Sequence, residues 1–144
     1  MKKLLLLFAC AATAFAVNAA PQQVDFDKLP TSSQEFIRKN FAGDPVKSVI
    51  LDREASWDKY TVVLNSGTQV SFAGGSGDCS EIVMKQGDVP AAAMLPRLRS
   101  YVVSQYPQAR VVLYQTTADG YRLGLADKTC LDFDKHGNFV KAVK

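Results

Sequence analysis

The stretch that decides the fold is YTVVLNSGTQVSF, residues 60–72. Apolar side chains alternate with other residues in both of its runs; they are Tyr60, Val62, Leu64, Val70 and Phe72. A period of two residues is typical of a strand with one buried face, and the intervening Ser66-Gly67 is typical of a tight turn. The stretch therefore predicts an antiparallel β-hairpin.

The same arrangement recurs 61 residues later in YRLGLADKTCLDF, residues 121–133. Each hairpin is preceded by a segment that begins with Leu-Pro and carries its apolar residues at helical spacing, at 29–41 and at 95–107. A period near 60 residues, present twice, is too long and too sparse for a common solenoid. The sequence therefore predicts a tandem duplicated helix-plus-strands unit, with repeats at about 25–88 and 89–144.

The predicted fold class is α+β. In the first repeat we expect the helix to start near Pro30, which suits a first helical turn, with Thr31 or Ser32 as its cap. Short segments rich in β-branched and aromatic residues then predict antiparallel strands at 46–54, 57–65, 68–73 and 80–84.

Alternation also assigns the two faces of the predicted sheet. Besides the first hairpin, the core face receives Tyr121, Leu123, Leu125, Leu131 and Phe133. Both helices should cover this face, because each has a single apolar stripe. The other face should be solvated or serve as a docking surface. It carries Thr61, Gln69, Ser71, Arg122 and Asp132.

Residues 1–20 have the pattern of a secretory signal peptide. Lys2-Lys3 precedes an apolar run, and small residues follow at the expected cleavage position. We therefore expect one mature domain at 21–144 in a periplasmic or secreted protein. A lipoprotein signal ending at Cys10 is the alternative, and it stays open.

Charge argues against a nucleic-acid partner. The chain has 17 Lys and Arg against 14 Asp and Glu. Without Lys2 and Lys3 the balance is 15 to 14, so no basic stripe remains to neutralise a run of phosphates. After the predicted signal, no segment approaches the ~20 apolar residues of a membrane span.

The predicted mature chain keeps two cysteines, Cys79 and Cys130. An exported pair is compatible with a disulfide. Two buried thiols are the alternative. The strand pattern puts Cys130 in phase with Asp132 and Cys79 on an apolar position, which argues against facing side chains.

These patterns resemble the PepSY-like family of exported bacterial proteins. The elements that carry the resemblance are Leu29-Pro30, Phe36-Ile37, Phe41, Tyr60, Leu64, Gly67, Leu95-Pro96, Tyr101-Val102, Tyr106-Pro107, Gly120-Tyr121, Leu125, Phe133 and Phe139. The resemblance spans nearly the whole mature chain. It implies a β-lactamase-inhibitor-protein-like architecture, with tandem repeats that form a curved antiparallel sheet and helices on one side. It also implies a periplasmic binding or inhibitor-like role. The glycine-rich turn at 73–78 and Cys79 depart from the family's pattern.

The stretch DFDKHGN has the opening of a calcium loop. Asp132, Asp134 and Gly137 fit positions 1, 3 and 6 of an EF-hand. His136 stands where an oxygen ligand is needed, and Val143 where the bidentate Glu is needed. A Gly in a short connection is instead typical of a hairpin. We expect a turn, with Asp132 and Asp134 as the only candidate calcium ligands.

Nothing in the sequence indicates catalysis or a cofactor. His136 is the single histidine, and one histidine cannot supply a multi-His zinc site. The cysteines lack Cys-x-x-Cys spacing. The glycines at 73–77 are not followed by the Lys-Ser/Thr of a phosphate-binding loop. We expect a protein that is not an enzyme.

Trp57 is the first candidate for a binding residue, with its phase mate Val63 and with Tyr114. An exposed Trp at a hairpin tip is a common interface anchor. The alternative is that Trp57 folds over the sheet edge and packs. The hypothesis is a non-catalytic exported module that binds another envelope or secreted protein. The alternative function is a small-ligand or calcium-responsive binding protein.

Overall fold

The computed structural model describes residues 20–53 and 57–144. The predicted signal peptide and Cys10 therefore lie outside the described residues. The described strands are β1 Gln22–Val24, β2 Val46–Arg53, β3 Asp58–Leu64, β4 Gln69–Ala73, β5 Cys79–Val83, β6 Val111–Thr116, β7 Gly120–Leu125, β8 Cys130–Asp134 and β9 Phe139–Val143. The α-helices are α1 Thr31–Asn40 and α2 Pro96–Gln105. Short 3-10 turns occupy Phe26–Lys28 and Ala91–Ala93.

The strands form one antiparallel sheet of nine strands whose order in space is their order in the chain. Each strand therefore pairs with its neighbours in sequence, as hairpins do. The segment that contains α2 connects β5 to β6. These two strands pair at the middle of the sheet, with Ile82 opposite Tyr114, and so join its two halves. The α+β class is confirmed. No described helix is long and apolar enough to cross a membrane.

The element order after β1 is a helix followed by four strands, and it occurs twice. The halves also share a contact. Phe36 of α1 meets Phe72 of β4 edge-to-face, with ring centroids 5.5 Å apart and planes at 81°. Tyr101 of α2 meets Phe133 of β8 at 5.5 Å and 84°. That the halves are duplicated copies, and their boundaries, stay predictions.

One face of the sheet forms the core, as the alternation predicts. The strand residues Val62, Leu64, Val70, Phe72, Leu123 and Leu131 have no exposed surface. Ile37 of α1 and Leu98 and Val102 of α2 are buried against them. Each such side chain contributes roughly 1.5–3 kcal/mol on burial. Both helices therefore cover this face and leave the opposite one uncovered.

The predicted cap of the first helix is wrong. Pro30 is the N-cap residue of α1, and no side chain caps the helix. Ser32, one of the two predicted caps, and its neighbour Ser33 direct their hydroxyls to the turn between β4 and β5 instead. Ser33 Oγ donates to the carbonyl of Gly77 at 2.7 Å, and Ser32 Oγ lies 3.5 Å from the carbonyl of Ser76. The turn between β4 and β5 therefore binds the hydroxyls of Ser32 and Ser33 through its backbone carbonyls.

In both halves the last hairpin turn packs against the start of the helix. Gly77 and Gly137 occupy these turns with φ of 78° and 86°. A Cβ on Gly77 would lie 2.9 Å from Cβ of Pro30, and one on Gly137 would lie 3.1 Å from Cβ of Arg97. The left-handed backbone and the close approach both favour glycine at these positions.

We predict that Gly77→Ala destabilises the protein by about 1–3 kcal/mol, because alanine strains the left-handed backbone and collides with the start of α1. Gly75→Ala is the matched control in the same turn, since a Cβ there meets nothing within 4 Å. Urea unfolding of both variants measures the difference. Equal stability of the two variants would contradict a close contact between Gly77 and the start of α1.

Candidate protein-binding face

The sheet face away from the helices, called the open face below, carries two rows of side chains that cross it from strand to strand. The first, the central row, is in register across all nine strands. Its members are Gln23, Ile50, Thr61, Ser71, Glu81, Gln115, Arg122, Asp132 and Lys141. Because cross-strand neighbours on one face lie about 4.5–5.5 Å apart, these side chains can bond to one another.

The polar groups of the central row bind each other. Thr61 Oγ1 lies 3.2 Å from Ser71 Oγ. Gln115 Nε2 donates to Glu81 Oε2 at 3.0 Å. These bonds turn the polar side chains toward their neighbours in the row. Ser71 is only 3% exposed, so the expectation that it is solvated is wrong.

Arg122 and Asp132 form the ion pair of the central row. Arg122 Nε donates to Asp132 Oδ1 at 2.7 Å, and its Nη2 lies 3.4 Å from Oδ2. This hydrogen bond lowers the pKa of Asp132. An ion pair on a partly exposed surface adds little stability, typically about 0–1 kcal/mol. The ion pair matters for recognition because the carboxylate of Asp132 already has a hydrogen-bond partner within the row.

The second row, called the apolar row, runs beside the central row. In register it contains Ser48, Val63, Gln69, Val83, Leu113, Gly124, Cys130 and Val143. Val83 is 41% exposed and Val143 is 52% exposed. The absence of a side chain on Gly124 makes room for Leu113, since a Cβ on Gly124 would lie 2.9 Å from that of Leu113. The row is an apolar strip on the open face.

Alternation in the sequence assigns Val63, Gln69 and Cys130 of this row to the open face, but it does not identify Val83, Leu113 or Val143. Alternation about Ile82 in β5 was the available signal for Val83. Alternation cannot identify Leu113 in β6, because the register shifts between Val111 and Leu113. Such a bulge reverses the phase of the residues beyond it.

Trp57 lies directly before β3 and is 55% exposed. The alternative in which its indole packs down over the sheet edge therefore does not describe this structure. In β3 the open-face positions are Lys59, Thr61 and Val63, between the buried Val62 and Leu64. Continuation of that phase places Trp57 on the same side, at one end of the open face.

The interpretation of Tyr114 as a surface residue is wrong. Tyr114 is 7% exposed and pairs with Ile82 on the core face. Its ring stacks on Tyr121, with centroids 6.1 Å apart. Burial raises the pKa of Tyr114 to about 12. The bulge in β6 sets this orientation, so a partner at the surface cannot reach its ring.

DFDKHGN forms the hairpin turn between β8 and β9. Asp134 Oδ1 accepts hydrogen bonds from the backbone N–H groups of His136 and Asn138, both at 2.9 Å, and Oδ2 accepts one from Asn138 Nδ2 at 3.2 Å. These bonds, above all that from the Asn138 N–H, lower the pKa of Asp134. Within residues 20–53 and 57–144, no group of three His, Cys, Asp or Glu could hold a metal ion.

Cys79 and Cys130 are free thiols. They lie on β5 and β8, which are separated by two strands, so about 14 Å of sheet lies between them. Cys79 packs against the core and Cys130 belongs to the apolar row. Burial raises the pKa of Cys79 to about 12, which keeps it as an unreactive thiol.

Comparison with known proteins agrees with this architecture. A family described as "Putative beta-lactamase-inhibitor-like, PepSY-like" matches residues 58–141. No curated protein is a detectable relative of the chain. A Bacteroides thetaiotaomicron structure, described as a "putative calcium-regulated periplasmic protein", is similar with a TM-score of 0.82 and 24% identity, over 86% of this chain and 97% of that one. Two Bacteroides vulgatus structures described as putative periplasmic proteins have TM-scores of 0.81 and 0.80 at 22% and 26% identity. They cover 86% and 87% of this chain, and 97% and 100% of their own.

We predict that Asp134→Asn lowers the melting temperature at neutral pH. The difference in melting temperature between this variant and the parent protein should become smaller as the pH falls. A carboxylate whose pKa is lowered by folding stabilises the protein above its unfolded pKa of about 3.9, and this stabilisation is lost as pH falls through the folded value. Thermal unfolding from about pH 7 to about pH 3 measures this dependence. Asp119→Asn, at an exposed position before β7, is the control. A deficit that does not change with pH would contradict a role for the charge.

Proposed function

The chain belongs to the beta-lactamase-inhibitor-like, PepSY-like family, and on this basis we propose that it is a non-catalytic periplasmic module that binds another protein through its open face. The partner is an envelope or secreted protein. The inhibitor-like description of the family supports a protein partner. The apparent signal peptide and the periplasmic descriptions of similar structures support the location.

The proposal rests on one observation: the apolar row and the central row lie side by side on the open face. An apolar strip supplies surface whose burial contributes about 25 cal/mol per Å². Beside it, Glu81, Arg122 and Asp132 already have hydrogen-bond partners. A partner that covers both rows therefore removes water from apolar carbon while Arg122 and Asp132 keep their ion pair and Glu81 keeps its hydrogen bond from Gln115, an arrangement that favours association.

The size of the open face also suits a protein partner. Nine strands at a spacing of about 4.8 Å give a width near 38 Å. A standard interface needs about 800 Å² on each side. Trp57 at one end and Val83 near the middle are the exposed anchors of this surface. Indole groups are enriched among the residues that dominate binding energy.

We expect Trp57→Ala to weaken partner binding by about 2 kcal/mol, in the range of interface anchors, and Val83→Lys to abolish capture, because it places a charge in the apolar row. Tagged 21–144 is mixed with envelope extract from its own cell, and the captured protein is then titrated against each variant.

Val103→Lys is the matched control for Val83→Lys. Val103 is 65% exposed, but it lies on α2, on the other side of the sheet. A partner that is lost equally with both lysine variants, or that binds the Trp57 and Val83 variants as well as the parent, would contradict binding at the open face.

A calcium-responsive role is the second candidate. It is favoured by the description of the similar Bacteroides thetaiotaomicron protein. Asp119, Asp132 and Asp134 line a cavity of about 360 Å³ on the open face, but among the described residues they do not form a group of three that could hold a metal ion. Calcium needs six to eight oxygen ligands. Asp132 and Asp134 would first have to leave Arg122 and the β8–β9 turn.

In thermal unfolding with millimolar CaCl₂, a calcium site would raise the melting temperature by mass action. The increase would be absent with MgCl₂ and would be lost in Asp132→Asn. An unchanged melting temperature in CaCl₂ would exclude the role. This result is independent of partner capture, so the two candidates are distinguished.

A further inference from the structure

A cavity of about 390 Å³ lies away from the open face, between the end of α2 and the β7–β8 turn. Its lining includes Tyr106, Pro107, Ala109, Arg110, Ala126 and Asp127. An aromatic ring, small apolar groups, one guanidinium and one carboxylate therefore share one concave surface. Its volume is within the range of small-molecule sites.

The corresponding place in the first half is closed by a side-chain pair. Asp44, in the loop after α1, accepts hydrogen bonds from the N–H of Ser66 at 3.1 Å and from Ser66 Oγ at 2.5 Å. Ser66 Oγ in turn lies 3.3 Å from the N–H of Thr68. The pair therefore fastens the helix–strand loop to the β3–β4 turn.

The backbone that carries this pair is the same in the second half. The N–H of Asn65 donates to Pro45 O at 2.9 Å, and the N–H of Ala126 donates to Arg110 O at 3.0 Å. The bond between the N–H of Asp44 and Phe41 O, at 3.0 Å, has its counterpart between Ala109 and Tyr106, also at 3.0 Å.

These bonds set the correspondence between the halves. Ala109 stands where the first half has Asp44, and Asp127 stands where it has Ser66. The substitution removes the side-chain pair, and in its place the second half has a cavity with a carboxylate at its rim.

Asp127 already interacts with an ammonium group. Its Oδ1 accepts from the N–H of Thr129 at 3.0 Å, and its Oδ2 lies 3.5 Å from Lys144 Nζ. Both side chains are largely exposed, at 58% and 73%, so the Lys144 ion pair is readily exchanged for another cation. Arg110 reaches the carbonyl of Gly87 only at 3.4 Å and keeps donors free for a carboxylate.

We propose that this cavity binds a small zwitterion, an amino acid or a short peptide with an apolar side chain. The ligand's ammonium group displaces Lys144 at Asp127, and its carboxylate accepts hydrogen bonds from Arg110. Its apolar side chain lies against Tyr106 and Pro107. The site is separate from the open face, so the inference does not depend on the proposed protein partner.

The first experiment titrates the protein with glycylphenylalanine and records backbone amide chemical shifts. Shifts are expected at the backbone amides of Tyr106, of residues 108–110 and of residues 126–127. N-acetyl-glycylphenylalanine lacks the ammonium and glycylphenylalanine amide lacks the carboxylate, so both should bind at least tenfold more weakly. A parallel titration with phenylalanine distinguishes a free amino acid from a peptide as the ligand. No shifts at these residues at millimolar concentration, or equal binding of the blocked compounds, would overturn the proposal.

Variants test the two charged contacts. Asp127→Asn keeps an oxygen to accept from Thr129 and removes the charge, and Arg110→Gln removes the guanidinium. Each should weaken binding about tenfold or more. Lys144→Met removes the competing ammonium and should strengthen binding. Glu35→Gln, at an exposed carboxylate of α1 that lies in neither cavity, should leave binding unchanged. Unchanged affinity in Asp127→Asn would overturn the proposal.

Ala109→Asp combined with Asp127→Ser tests the cavity itself. It should restore the side-chain pair seen at Asp44 and Ser66 and abolish binding, with a melting temperature no lower than that of the parent. A folded double variant that still binds glycylphenylalanine would overturn the proposal. If the double variant does not fold, the Asp127→Asn and Arg110→Gln affinities decide the outcome.

Discussion

Burial of one face of a continuous antiparallel sheet is the constraint on which the rest of the structure depends. Nine strands pair in chain order, so every second residue lies on the same side. Two short amphipathic helices cover that side, and in each half a helix ring meets a strand ring edge-to-face. Aromatic contacts of this geometry add about 0.5–1.5 kcal/mol beyond area burial. Since both helices lie on one face, the opposite face is left for solvent or a partner.

The turns that look most like ligand loops hold this arrangement together. The glycine-rich turn after β4 receives the Ser33 hydroxyl of α1, and the DFDKHGN turn contacts α2, where Arg97 Nη1 donates to Asn138 Oδ1 at 2.5 Å. The Asp134 carboxylate is used within its own turn. The oxygens that suggested metal chemistry therefore have structural partners, and the glycines that suggested a phosphate cradle permit close packing.

Two features of the molecule support recognition of other molecules: the apolar row of the open face and the cavity beside Asp127. The apolar row of the open face has exposed valines and no covering element among the described residues. The cavity beside Asp127 lies where the second half has Ala109 and Asp127, in the places that Asp44 and Ser66 occupy as a hydrogen-bonded pair in the first half. We propose both features as surfaces of recognition, one for a protein and one for a small ligand.

The sequence alone predicted the helices, most of the strands and the buried face, because periodicities of 2 and 3.6 residues are local properties of the chain. It did not predict β1 or β6. It also predicted the hairpin turn at DFDKHGN, because Gly137 suits a short connection and Val143 stands where a calcium loop needs its bidentate glutamate. Only the tertiary structure placed Tyr114 in the core, since a bulge in β6 changes the phase that alternation assumes. The neighbours in each row, the partners of Asp132 and the cavity beside Asp127 were likewise decided in three dimensions. They depend on the register between strands and on contacts between separate elements of the chain, about which local periodicity carries no information.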